Sequence, residues 1–89
     1  MFEEGQAYYF RGNQWAYLGR VKSVAAGFIE LVEASWVADD GRYGEALSRG
    51  VPRINELEKI PPQCEPYLIA MNQISDAAKW VHELPTESK

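Results

Sequence analysis

One cysteine and one histidine are all the chain offers as thiol and imidazole ligands. A structural zinc site takes about four such ligands, so Cys64 and His82 cannot build one within the chain, and Cys64 has no partner for an internal disulfide. Cys64 also lies between Pro62 and Pro66 beside Glu65, an acidic neighbourhood, whereas reactive cysteines sit in electropositive ones. Neither a Gly-rich phosphate loop nor an elbow around a nucleophilic serine occurs. His82, near Asp76, Trp80 and Glu83, reads as structural ahead of its alternative as a general base, because it lacks partners for a triad. The expectation is a protein that is not an enzyme and uses no cofactor and no metal.

Positive charge is also in short supply. Nine Lys and Arg face thirteen Asp and Glu, a net charge of -4. The overall field then repels phosphate backbones, which argues against general nucleic-acid binding. The carboxylates are spread along the chain and form no dense array, so mimicry of a nucleic acid is disfavoured as well. No apolar run approaches the roughly 20 residues of a membrane span, and no apolar leader follows Met1. With a lone cysteine, these absences lead to the expectation of a cytoplasmic protein that does not enter a membrane.

What is present is a hydrophobic fraction of 46%, with three Trp, five Tyr and three Phe in 89 residues. That is a globular composition, and this length supports one small core. A single β-rich domain over 1–85 is expected, followed by a disordered tail at 86–89.

Along the chain, AYYF from Ala7 reads as a strand and Arg11-Gly12-Asn13 as a turn. From Gln14 to Val24, Trp15, Tyr17 and Val21 alternate with Arg20 and Lys22, the period of a half-buried strand. Gly19 interrupts the apolar face and marks a bend or a close approach of backbone. Ala25-Ala26-Gly27 is a hairpin turn in which Gly27 takes the left-handed conformation.

Residues 28–38 fit either a helical face or a strand whose phase changes at a bulge near Leu31. The strand is favoured because Phe, Ile, Val and Trp cluster there. Asp39-Asp40-Gly41 breaks it and offers a carboxylate cap to a helix over Arg42–Arg49, with Tyr43, Ala46 and Leu47 on one face and Gly50 at its end. Three prolines between Val51 and Pro66 allow only an edge segment and connector. Tyr67–Ile74 returns to period two as a closing strand, and Ala77–Leu84 alternates as another. The fold class expected is mainly β (α+β): a small, strongly curved antiparallel sheet or an SH3-like barrel with one short helix near 42–49.

Between Gly27 and Gly50 the chain gathers Trp36, Arg42, Tyr43 and Arg49, and Arg53 follows closely. The tryptophans are core or interface candidates first, since a small domain uses large aromatics to gain buried area. The other reading is a pocket in which Trp36 or Trp15, with Tyr43, stacks on a flat ligand while Arg42, Arg49 or Arg53 pairs with a phosphate or carboxylate. In so small a chain such a pocket forms most easily between subunits of a homo-oligomer.

Tyr17-Leu18-Gly19, Gly27, the run Ile29-Glu30-Leu31 to Ala34, Trp36, and Ala46-Leu47 to Gly50 resemble an uncharacterised family of small bacteriophage proteins, with looser similarity over Tyr67–Pro85. The resemblance implies a fold and a phage origin, in the cytoplasm of an infected bacterial host. Taken with the Trp/Arg/Tyr cluster and the missing catalytic sets, it leads to the expectation of a counter-defence protein that sequesters a small nucleotide-derived immune signal. The alternative is a phage accessory or inhibitor protein that binds a host defence protein through an acidic aromatic surface.

Overall fold

The computed structural model describes residues 1–89. Three long strands form a meander: β1 (Ala7–Gly12), β2 (Ala16–Ala25) and β3 (Phe28–Asp39). The β2–β3 hairpin closes over Ala26 and Gly27 at φ 53° and 80°. Two positive φ values give a turn whose twist matches that of the flanking strands, and Gly27 adopts its conformation without the Cβ penalty that Ala26 carries.

Residues 28–38 are strand, and the phase change is real but displaced from the expected position. Leu18 pairs with Ser35 and Arg20 with Val32, so Gly19 alone stands opposite Glu33 and Ala34. The extra residue, Glu33, sits at φ 51°. The bulge expected near Leu31 therefore falls at Glu33–Ala34, and a second register shift lies on the partner strand between Val21 and Ser23. Gly19 makes the close approach foreseen for it, since a Cβ there would lie 3.1 Å from Leu31 Cδ1. Glu65 stabilises the bulge: its carboxylate accepts the Glu33 and Ala34 amides at 3.1 and 2.7 Å, with Lys59 Nζ 3.6 Å away.

The outer side of β3 is shared. β4 (Glu56–Lys59) pairs with Ser35–Asp39, β5 (Tyr67–Ala70) pairs with Phe28–Leu31, and β6 (Ile74–Lys79) crosses to β1. All pairs are antiparallel, in the order β4-β3-β2-β1-β6 with β5 beside β3. The sheet is not closed, so the barrel alternative is corrected to a bent open sheet: β6 bonds only to β1, while β4 and β5 bond only to β3. The expected strand over Tyr67–Ile74 is broken by a 3-10 turn at Met71–Gln73, and only its last residue, Ile74, begins β6. Beyond Lys79 the expected alternation does not continue as strand; Trp80 turns into the core, its Nε1 donating to Glu83 O at 3.0 Å. The last residues lie along β4. Lys89 exchanges backbone hydrogen bonds with Leu57 at 3.0 and 3.3 Å, and Ser88 Oγ accepts from Lys59 N at 2.8 Å.

The single helix, α1 (Tyr43–Arg49), begins after Arg42 without a side-chain cap. The aspartates expected to cap it are engaged elsewhere: Asp39 accepts the Gly41 amide and Asp40 accepts the Tyr9 hydroxyl, both at 2.8 Å. Gly50, at φ 87°, ends the helix as expected and donates to Ala46 O at 2.8 Å. Seven residues are too few for a stable isolated helix, so α1 depends on the packing of Tyr43, Ala46 and Leu47.

Alternation along β1 sends Ala7 and Tyr9 to one face and Tyr8 and Phe10 to the other, and both faces are buried. On the first, Tyr9, Leu18 and Val37 meet Ala46, Ile54, Leu57 and Trp80 beneath α1. On the second, the bent sheet wraps Phe10, Val21, Ile29, Leu31, Ala34 and Ile69. The Ser35 hydroxyl is fully buried and has no hydrogen-bond partner.

Two substitutions test this account. Glu65→Ala strips two bulge amides of their acceptor and is expected to cost about 1.5–3 kcal/mol in chemical denaturation. Ser35→Ala removes an unsatisfied hydroxyl and is expected to leave the melting temperature unchanged or raise it, by up to about 1 kcal/mol of stability.

Candidate functional site

The six candidate residues do not gather at one site: Trp15 meets Trp36, Arg42, Tyr43 and Arg49 line a hollow together, and Arg53 approaches Glu45. Trp36 pairs across strands with Tyr17, which packs against the second core face, while its neighbour Val37 points into the first. Tyr43 packs on the first face, 5.5 Å from the Tyr9 ring. Trp36 and Tyr43 are seven positions apart, yet the Asp39–Gly41 turn carries the chain over to the face beneath α1. One chain therefore does not join Trp36 to Tyr43 and the arginines in a single pocket.

On the α1 side, Arg42, Tyr43, Gly44, Glu45, Ser48 and Arg49 line an open hollow of about 590 Å³. Glu45 partly neutralises it, with Arg49 Nε at 3.5 Å and Arg53 Nε at 3.9 Å. The Tyr43 ring is already in use: the Arg11 guanidinium lies 4.0 Å from its centroid. Arg11 is in turn held by Asp76 through two hydrogen bonds of 2.8 and 2.6 Å. That bond keeps the Asp76 carboxyl below its ordinary range and the Arg11 guanidinium above its own. Tyr43 is thus a clamped part of the fold, with a cation over its face where a ligand ring was expected.

On the other side the tryptophans do meet. The Trp15 ring is 5.1 Å from that of Trp36, and Trp15 remains 50% exposed. Tyr17 continues the strip toward Tyr67, ring to ring at 5.9 Å. Burial, and then the neighbouring Tyr67, push the Tyr17 phenol upward and keep it protonated. Next to this strip is a cavity of about 350 Å³ lined by Gly12, Asn13, Gln14, Trp15, Tyr17 and Gln73. Its wall is fixed by backbone: Gly12 donates to Trp15 O at 2.7 Å, and a Cβ on Gly12 would sit 2.9 Å from Gln73 O. The lining has aromatic faces and amide groups but no charged side chain.

Tyr17, Asn13, Gln14, Gln73 and Tyr67 were not among the candidates. For Tyr17 the signal was available, since period two places it on the face of Trp15. Gln73 arrives from 56 residues beyond Tyr17 through the β5–β6 turn, and no local pattern marks it. His82 packs against the end of α1: its Nε2 is 2.7 Å from Leu47 O, and its ring meets Trp80 edge-on. Cys64 is exposed, and no three His, Cys, Asp or Glu are grouped to hold a metal ion. No family model, curated protein or solved structure matches the chain.

The partly buried Tyr9–Asp40 bond ties β1 to the turn that leads into α1, and it sets a pH dependence. Burial first, then the Asp40 carboxylate, push the Tyr9 phenol far above its ordinary value. A raised folded-state value stabilises fully below the unfolded value of about 10 and loses that contribution as pH rises beyond it. Stability is therefore expected to fall above about pH 10, and Tyr9→Phe to flatten that fall while costing about 1 kcal/mol at neutral pH. Urea melts from pH 7 to 11 provide the check.

Proposed function

We propose that the protein is a non-enzymatic binding protein that sequesters a small, flat, nucleotide-derived ligand on the Trp15–Trp36 pair. The half-exposed Trp15 ring beside the amide-lined cavity carries this reading. Stacking of a base on an aromatic side chain contributes about 1–3 kcal/mol. Asn13, Gln14 and Gln73 add the donor and acceptor groups that match a heterocycle edge.

The cavity offers nothing to a phosphate. Arg42, Arg49 and Arg53 do not line it, so in this reading they hold the anionic part of a ligand stacked on a neighbouring copy, at a site between subunits. The resemblance to bacteriophage proteins supplies the setting: removal of an immune signal from an infected bacterial cell. A second reading has its own support, because Glu58 stands directly across from Trp36 and no cation lines the cavity. In it, the same acidic aromatic surface docks on a host defence protein.

Calorimetric titration with cyclic nucleotides, ADP-ribose derivatives and the unphosphorylated nucleosides separates these readings. Sequestration predicts measurable heat, at least a tenfold loss of affinity in Trp15→Ala with an unchanged melting temperature, and a loss in Arg42→Ala confined to the phosphorylated ligands. Absence of heat with every nucleotide defeats it. A host protein then retained by the wild type and lost by Trp15→Ala supports the second reading.

A further inference from the structure

The three outer strands differ in how their free edges are treated. β4 is covered, because Ser88 and Lys89 take up the outward groups of Leu57 and Lys59. β6 carries Asp76 and Lys79, and a lysine on an edge discourages pairing with another strand. β5, Tyr67-Leu68-Ile69-Ala70, has no charge and no cover. Met71 N donates to Gly27 O at 2.9 Å, which sets the phase of the β3–β5 ladder. Antiparallel alternation then directs the backbone groups of Ile69 toward β3 and those of Leu68 and Ala70 outward.

The side chains along this edge are apolar and unequal in size. Leu68 is 53% exposed and Phe28 44% exposed. Phe28 lies directly across β3–β5 from Ala70, and Glu30 directly across from Leu68. All four share the outer face, because Ile69, between Leu68 and Ala70, is buried on the inner one. Glu30 is restrained at the rim by a 2.9 Å hydrogen bond from Ser23 Oγ.

We propose that β5 is a self-association edge, joining two copies of this chain through antiparallel β5–β5 pairing with Ile69 on the twofold axis. In that register each Leu68 stands opposite the partner's Ala70, and the two outward residues of each strand exchange about four hydrogen bonds. Each large Leu68 then fills the space above the partner's small Ala70, beside the partner's Phe28. The arrangement is isologous, with the same patch serving as knob and as hole, and it brings no like charges together. A second copy satisfies the edge groups and the size pattern with one and the same surface. The inference stands apart from ligand binding at Trp15, which lies on a different part of the sheet.

Native mass spectrometry and sedimentation across concentrations up to about 1 mM, the range of weak association, provide the test. The wild type is expected to shift from 10.1 kDa to twice that mass as concentration rises. Leu68→Lys, a change at an exposed position, is expected to remain monomeric with the wild-type circular dichroism spectrum. Ala70→Glu is expected to behave likewise. Mixing the two variants should restore dimers, because the register sets the introduced ammonium of one chain against the introduced carboxylate of the other. A wild type that stays monomeric throughout overturns the inference. So does a Leu68→Lys protein that dimerises like the wild type, or a mixture that associates no more than its components.

Discussion

Where β3 inserts Glu33, two amides leave the ladder, and the Glu65 carboxylate accepts both of them between the ends of β4 and β5. The rest of the sheet depends on that arrangement. β4 and β5 are each four residues long and neither could cover the outer side of β3 alone. The gap between them is filled by Glu65 and by Lys59, whose Nζ also donates to Ala34 O at 3.1 Å. A partly buried ion pair is a weak source of net stability, but one that also satisfies backbone groups avoids the larger cost of leaving them unpaired.

The bend at this point is what allows one sheet of six strands to bury both of its faces. Before the bulge, Ile29 and Leu31 belong to the inner face with Ile69; after it, Ala34 keeps that face while Val37 points toward α1. Gly19 on β2 provides the room, since the Leu31 side chain occupies the space a Cβ would need. The same bend separates the aromatic residues into a clamped set under α1 and an exposed strip at the β1–β2 end. In the clamped set, Arg11 spans Tyr43 and Asp76 and so joins α1, β1 and β6. In the exposed strip, Trp15 has no such partner beyond Trp36. Free aromatic surface is therefore concentrated at Trp15, and the arginines that follow Trp36 in sequence line a different hollow.

Edges complete the picture. An open sheet must protect or use its outer strands, and here one edge is covered by the chain's last residues, one carries charge, and one is bare and apolar. That asymmetry gives the surface of the protein two distinct regions, an aromatic one around Trp15 and an aliphatic one around Leu68.

Local chemistry decided much of this from sequence alone. The strand start at Ala7, the Gly27 turn, the helix ending at Gly50 and the confinement of the proline-rich stretch to an edge follow from φ preferences, period two and the missing proline N–H. Even the phase slip in β3 was legible, because a run such as Ile29, Leu31, Ala34 cannot keep one face without an extra residue. Where the slip falls was not, because the acceptor for the freed amides comes from Glu65, over thirty residues away. The aspartates before α1 had the composition of a cap, but Tyr9 competes for Asp40 from another strand. The candidate site divided for the same reason. Trp36 and Tyr43 are close along the chain, while their faces are assigned by register and by a turn over the sheet edge. Proximity in sequence could nominate them, and only the tertiary pairing of strands could place Trp36 beside Trp15 and Tyr43 under Arg11.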